Sequence, residues 1–189
     1  MVFRVNVPEG SVAHMHILQN VGTPELLARR FELVMTIYDA PETTLSPRER
    51  EIIRMLYASR FSCEICTDVR LWRDQPGFSE TRIDEGLYLA ASRVDVDWPG
   101  FTERERLVLD VAQRFDVDID GLAHDDDMWQ RVRAEFTETE IGDLFAMLGS
   151  LLGVGRSQLA LGVGPKKAPI PALDGPTAPV YAELADSSL

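Results

Sequence analysis

Three short stretches of this 189-residue chain carry the pattern Ser/Thr-x-x-Glu directly before a run of apolar residues at helical spacing. In this pattern, the capping box, the hydroxyl of the first residue and the carboxylate of the fourth each accept a backbone N–H that a first helical turn leaves without a partner. Three such helix starts in one chain favour a helical fold. The boxes are Ser46 with Glu49, Thr102 with Glu105, and Thr137 with Glu140.

Further segments also have the apolar spacing of helices. One follows the sequence TPE at residues 23–25, where a proline takes the first helical position, and Pro41 is expected to end it. A second begins near Ser62, a third follows Ser79, and a shorter one covers 128–136. The long alternation of apolar and polar residues that marks strands is nearly lacking in the sequence. The sequence therefore predicts an all-α protein.

Composition limits the classes of partner. A net charge of −12 argues against nucleic acid, whose phosphates call for clustered Lys and Arg. No stretch approaches the roughly 18 consecutive apolar residues of a membrane helix, and the N-terminus lacks the pattern of a signal peptide. Two closely spaced cysteines without a secretory signal are typical of a reducing compartment. We therefore expect a cytoplasmic protein that binds neither membrane nor nucleic acid.

The chain has two cysteines, Cys63 and Cys66, in the sequence FSCEICTDVR. If Ser62 caps a helix, Cys63 lies in its first turn, where backbone N–H groups favour a thiolate. Cys66 follows on the same face, so a disulfide needs little adjustment. Glu51, on the preceding helix, can take a thiol proton if the two helices pack as a hairpin. These features favour a redox-active dithiol.

Two other interpretations of the CxxC remain open from the residues alone. Tetrahedral zinc needs four ligands, of which the CxxC supplies two, and His14 with His16 is a conceivable second pair. Alternatively, both cysteines are small buried residues without chemistry. We expect no metal and no cofactor.

Residues 45–74, LSPREREIIRMLYASRFSCEICTDVRLWRD, resemble the core signature of the carboxymuconolactone decarboxylase and AhpD-like alkylhydroperoxidase superfamily. That signature is a capped helix start, a glutamate, an arginine three residues later, a dithiol after the helix end, and then a histidine. Four residues take the matching positions: Glu51, Arg54, Cys63 and Cys66.

The helical segments before and after this signature also resemble those of the superfamily, so that the resemblance covers about residues 15–163. It implies an all-α AhpD-like domain in that range, with an N-terminal segment at 1–14. Residues 164–189 are rich in Pro and Gly, which is typical of an extended arm or a disordered tail. In such proteins the subunits associate, commonly as trimers or hexamers, which implies a homo-oligomer.

The resemblance implies a peroxide-reducing or disulfide-exchanging antioxidant enzyme of the peroxidase type. Glu51 would serve as the base of a proton relay. Cys66 would attack a hydroperoxide and become a sulfenic acid, and Cys63 would resolve it to a disulfide. An external thiol reductant would restore both thiols.

The chain departs from the superfamily pattern at Arg70, which stands at the histidine position. A guanidinium stays protonated, so it can lower a thiol pKa but cannot shuttle a proton. Two alternatives follow. One is a lyase that acts on a small carboxylated lactone, whose carboxylate Arg54, Arg60 or Arg70 would bind. Arg54 would not be available for this if it pairs with a nearby glutamate. The other is a catalytically idle oligomeric binding protein.

Overall fold

The computed structural model describes residues 3–39, 43–68 and 83–163. Within these residues the chain forms nine helices and no strand, which confirms the all-α prediction. The predicted arm or tail at 164–189 lies outside the described residues. Across the described segments, no helix combines the length and the apolar character needed to cross a bilayer.

The helices are numbered in chain order. The stop predicted at Pro41 and the start predicted after Ser79 lie outside the described residues. The helices are α1 (Ala13–Asn20), α2 (Pro24–Asp39), α3 (Pro47–Arg60), α4 (Glu64–Asp68), α5 (Glu85–Arg93), α6 (Glu103–Val117), α7 (Ile119–Ala123), α8 (Asp126–Glu135) and α9 (Glu138–Ala160).

All three predicted capping boxes are present, at the starts of α3, α6 and α9. In each box the cap hydroxyl accepts the N–H of the glutamate three residues later. The glutamate carboxylate in turn accepts the N–H of the cap residue, at 2.6 Å for Ser46, 2.9 Å for Thr102 and 2.7 Å for Thr137. The local pattern in the sequence therefore fixes where these three helices begin.

Two arginines connect the boxes of different helices. Arg48 in the first turn of α3 donates to Glu105 of the α6 box, with an Nη2–Oε2 distance of 3.0 Å. Arg104 in the first turn of α6 donates back to Glu49 of the α3 box. Arg104 also donates to Glu140 of the α9 box at 2.7 Å. The similar sequences SPRER and TERER thus make a reciprocal exchange of ion pairs between α3 and α6.

Helix α3 lies at the centre of the fold and packs against α4, α5, α6 and α9. Every residue from Glu49 to Ala58 is buried, including four charged ones. A buried charge is tolerated only with a charged or hydrogen-bonding partner. The partners of these four charged side chains therefore decide which polar groups of α3 are left to contact the CxxC that follows it.

Helix α2 is packed more loosely than its apolar spacing suggests. Leu26, Phe31 and Leu33 are exposed, whereas Ile37 near the end of the helix is buried. The helix contacts α1 and α9. The periodic spacing correctly indicates a helix here, but Leu26, Phe31 and Leu33 remain outside the core.

Candidate functional site

A disulfide joins Cys63, in the turn between α3 and α4, to Cys66 within α4. Ser62 does not cap a helix that contains Cys63, as the sequence suggested, because its backbone is left-handed (φ 50°) and α4 begins only at Glu64. Cys63 occupies the capping position itself. Its carbonyl accepts the N–H of Thr67 at 2.9 Å, and its Sγ accepts the N–H of Cys66 at 3.3 Å.

The two sulfurs differ in their surroundings. Cys63 is buried, with 7% of its surface exposed, whereas Cys66 is partly exposed. The backbone N–H of Cys66 points to the Cys63 sulfur, and such a donor stabilises a thiolate at that sulfur. The disulfide therefore joins a buried residue, whose sulfur accepts a hydrogen bond, to a partly exposed residue.

Glu51 is connected to the CxxC through Arg54. Its side chain is fully buried, and both carboxylate oxygens accept from Arg54: Nε donates to Oε1 at 2.6 Å and Nη2 to Oε2 at 2.7 Å. The third nitrogen of the same guanidinium, Nη1, donates to the carbonyl of Cys66. The pairing of Arg54 with a nearby glutamate, left open by the sequence, is therefore confirmed.

A partly open cavity of about 90 Å³ lies beside the disulfide and is lined by α1, α3, the CxxC and α9. Both sulfur-bearing residues line it, together with side chains that are mostly apolar. Glu51 is not among the lining residues. The wall consists of His14, Arg54, Tyr57, Ala58, Phe61, Cys63, Cys66, Leu151, Val154, Gly155, Gln158 and Val163.

Gly155 permits the close approach of α9 to this site. A Cβ at this position would lie 2.1 Å from Cδ2 of Phe61. Phe61 is the C-cap of α3, two residues before Cys63, and is itself buried. The glycine thus sets the spacing between α9 and the turn that carries the disulfide.

Two polar side chains of the cavity are already engaged. The hydroxyl of Tyr57 donates to the carbonyl of Ala112 at 3.0 Å. Burial raises the pKa of Tyr57, and the charge of Asp116 raises it further, so this phenol stays protonated at neutral pH. The Arg54 guanidinium is held by Glu51 and the Cys66 carbonyl. Neither group is available as a proton carrier without breaking these contacts.

His14 and Gln158 reach the cavity from distant parts of the chain. Gln158 is buried, and its Nε2 donates to the carbonyl of His14 at 3.4 Å. The sequence pointed to His14 only as a conceivable zinc ligand and gave no signal for Gln158. Both are placed here by the packing of α1 and α9 around α3, which no local pattern encodes.

Arg70, the residue at the superfamily's histidine position, lies outside the described residues. Its place beside Cys66 therefore stays a prediction. Arg60, considered above as a carboxylate ligand, pairs with Asp116 at 2.8 Å, and Asp116 also accepts from Arg156 at 2.8 Å.

The zinc alternative gains no support from the geometry. Among residues 3–39, 43–68 and 83–163, no three His, Cys, Asp or Glu side chains lie close enough together to hold a metal ion. The two cysteines bond to each other instead.

Comparison with known protein families, curated proteins and solved structures gives no match to this chain. The superfamily resemblance therefore rests on the sequence signature alone.

Proposed function

We propose that the protein is a thiol-dependent oxidoreductase that reduces hydroperoxides or exchanges disulfides through Cys63 and Cys66. The observation that carries this proposal is the Cys63–Cys66 disulfide on the wall of a small, mostly apolar cavity. A purely structural cysteine pair has no need of such a cavity. The proposal is also supported by Arg54, which Glu51 holds and which donates to the carbonyl of Cys66.

The oxidative half-reaction uses both sulfurs. The Cys66 thiolate attacks one oxygen of a hydroperoxide, so that an S–O bond forms, the O–O bond breaks and the alkoxide leaves as an alcohol after taking a proton. The Cys63 thiolate then attacks the Cys66 sulfenic acid. The S–S bond forms, the S–O bond breaks, and hydroxide leaves as water after taking the second proton.

The reductive half-reaction needs an external thiol, which supplies the two electrons that return both cysteines to thiols. In the disulfide form the Glu51 carboxylate is held by Arg54. A role of Glu51 as base therefore requires this ion pair to open during the cycle. Until then Glu51 acts through Arg54, which it holds against the Cys66 carbonyl.

The lyase alternative has less support. It needs an arginine to bind the carboxylate of a lactone, yet Arg54 is bonded to Glu51 and Arg60 to Asp116. Arg70 is the third candidate and is not described. The remaining alternative is a binding protein without catalytic activity. This alternative gives no role to the disulfide beside the cavity.

The proposal is tested by measuring consumption of tert-butyl hydroperoxide in the presence of dithiothreitol. We expect turnover by the wild-type protein and its loss in Cys66→Ser. Ser157→Ala, an exposed substitution on α9, is the matched control and should retain turnover. Turnover of a carboxylated lactone by the Cys63→Ser/Cys66→Ser variant would instead support the lyase. A protein that consumes neither the hydroperoxide nor the lactone would support the binding protein without catalytic activity.

We further propose that the protein is cytoplasmic and forms a homo-oligomer, a trimer or hexamer as the resemblance implies. Support for subunit association comes from α2, which exposes Leu26, Phe31 and Leu33. Leu26 and Leu33 stand seven residues apart and so share one face of this helix, and exposed apolar side chains on one face are typical of a surface that another subunit covers. Light scattering on a size-exclusion column measures the subunit count, and a monomer at micromolar concentration would contradict the proposal.

A further inference from the structure

The ring of Phe61 packs against two neighbours beside the disulfide. It lies so close to Gly155 of α9 that a Cβ on this glycine would overlap three of the ring carbons. The ring of Tyr57 is the second neighbour, at a centroid distance of 6.1 Å, and its hydroxyl is bonded to the carbonyl of Ala112. Because Phe61 is also only 8% exposed, its ring has little freedom to move aside.

The Phe61 ring forms part of the wall of the disulfide cavity. Phe61, Gly155 and both cysteines line this cavity. Gly155 has no side chain, and the space that a side chain would fill at this position is taken by the Phe61 ring. The size of the ring therefore limits the room between α9 and the disulfide.

The cavity is small for a ligand with an aromatic ring. An apolar cavity of about 150 Å³ holds one benzene molecule, whereas this partly open cavity has about 90 Å³. A phenyl group close to the reacting atom is therefore too large to lie beside the disulfide, because a closely packed wall does not readily make room for an oversized group. The limit concerns size and not charge, since His14 and Arg54 also line the cavity.

We propose that Phe61, packed against Gly155, determines the specificity of the disulfide site by limiting the size of the group next to the reacting atom. This inference deepens the proposed function and rests on it for the class of substrate. Short alkyl hydroperoxides are accepted, and hydroperoxides with an aryl group on the carbon that bears the O–O bond react poorly. Phe61 takes no part in the bonds that form and break.

Binding is measured first, without turnover, by titrating the oxidised protein with tert-butanol and with 2-phenyl-2-propanol. These alcohols have the carbon skeletons of tert-butyl and cumene hydroperoxide, and they differ by a phenyl group in place of one methyl group. The methyl signals of Leu151 and Val154, which line the cavity, report binding by NMR. We expect the wild type to bind tert-butanol about fivefold or more tightly than the phenyl compound, because the larger group overpacks the wall.

Phe61→Ala removes a phenyl group from the wall and so makes room for the phenyl group of the ligand. This variant should bind 2-phenyl-2-propanol about tenfold or more tightly than the wild type does, the effect of burying one aromatic ring. Phe101→Ala is the matched control, because Phe101 is buried but is not among the residues that line the cavity. It should keep the wild-type preference. If Phe61→Ala does not fold, Phe61→Leu is used and should shift the preference in the same direction.

Two glycines of α9 test the contact that holds the ring. Gly155→Ala forces the Phe61 ring out of its place, so tert-butanol binding should weaken by about fivefold or more. Gly153→Ala is the control two residues away, where a Cβ would meet nothing within 4 Å, and it should bind tert-butanol as the wild type does.

Turnover with dithiothreitol gives the second measurement. The ratio of kcat/KM for cumene hydroperoxide to that for tert-butyl hydroperoxide should rise about tenfold in Phe61→Ala, because the added room admits the phenyl group. Phe101→Ala should leave this ratio unchanged. Thermal melting of both variants shows whether a change in the ratio accompanies a general loss of structure.

The outcomes separate this inference from the proposed function. The expected change in alcohol binding without any peroxide turnover would support the role of Phe61 and contradict the oxidoreductase. Turnover with an unchanged ratio in folded Phe61→Ala would support the oxidoreductase and overturn the role of Phe61. Equal binding of both alcohols by the wild type, binding of neither, or the same change of preference in Phe101→Ala would also overturn it.

Discussion

At the scale of single residues, the two cysteines are chemically unequal although they stand three positions apart. Cys66 is the more exposed residue, whereas Cys63 is buried and its sulfur accepts the Cys66 N–H. In thiol–disulfide exchange the incoming thiolate attacks the sulfur it can reach, and the other sulfur leaves more readily when its thiolate is stabilised. The reductant should therefore attack Cys66 and expel Cys63.

This asymmetry predicts the position of the mixed disulfide. Oxidised protein is treated with a small thiol, and the cysteine that this reaction releases as a free thiol is alkylated. The chain is then cleaved after Glu64, which lies between the two cysteines. Mass spectrometry should find the small thiol on Cys66 and the alkyl group on Cys63. The opposite distribution would contradict attack at Cys66.

Glu51 gives the second prediction at this scale. Glu51→Gln leaves the buried Arg54 guanidinium without its counter-charge, and breaking a buried ion pair from one side costs about 3–5 kcal/mol of unfolding free energy. Glu51→Leu combined with Arg54→Met removes both charges and should cost less than the single change. Urea unfolding measures both variants. A Glu51→Gln loss below about 1 kcal/mol would show that the pair does not hold α3 and the CxxC together.

Much of the site at this scale could be predicted from the sequence. The pairing of Glu51 with Arg54 follows from their spacing on one helix, because residues three apart share a face. Gln158 could not be predicted, since it meets the disulfide only through the packing of α9 against α3. Ser62 was misjudged because a left-handed residue in the turn shifts the helix start by one position.

At the scale of helices, Arg104 joins three capped starts. Its guanidinium bonds to Glu49 and Glu140 and lies over the ring of Phe136, 3.9 Å from the centroid. Arg104→Ala removes these contacts and leaves the buried Glu49 without this partner, so it should lower the unfolding free energy by about 3 kcal/mol. Arg29→Ala, which removes an exposed ion pair, should cost less than about 1 kcal/mol. Equal losses in urea unfolding would contradict the central role of Arg104.

The α9 capping box predicts a dependence of stability on acid. Hydrogen bonds from the backbone and hydroxyl of Thr137, followed by Arg104, lower the pKa of Glu140 from 4.5 to about 2. Because the folded pKa is the lower one, the ionised carboxylate stabilises the fold above pH 4.5, and this stability is lost as the pH falls toward 2.

Thermal melting between these pH values tests this prediction. Glu140→Gln should lose less stability on acidification than the wild type, whereas Glu138→Gln, an exposed change in the same turn, should follow the wild type. If the stability of Glu140→Gln fell with acidification as steeply as that of the wild type, the role assigned to the α9 capping box would be contradicted.

The helices show which parts of the fold are encoded locally. The three capping boxes were predictable because all their hydrogen bonds join residues three positions apart. The exposure of Leu26 and Phe31 was not, because periodic spacing predicts a helix but does not say which surface will cover its apolar face.

At the scale of the whole molecule, the all-α architecture follows from these local signals, and it sets α1, α3 and α9 around one disulfide.

The central claim is that this disulfide is redox-active. The most direct measurement counts thiols in the reduced protein before and after an equimolar amount of tert-butyl hydroperoxide. We expect both thiols of each chain to disappear as an intramolecular disulfide forms, whereas two unchanged thiols per chain would contradict the redox role.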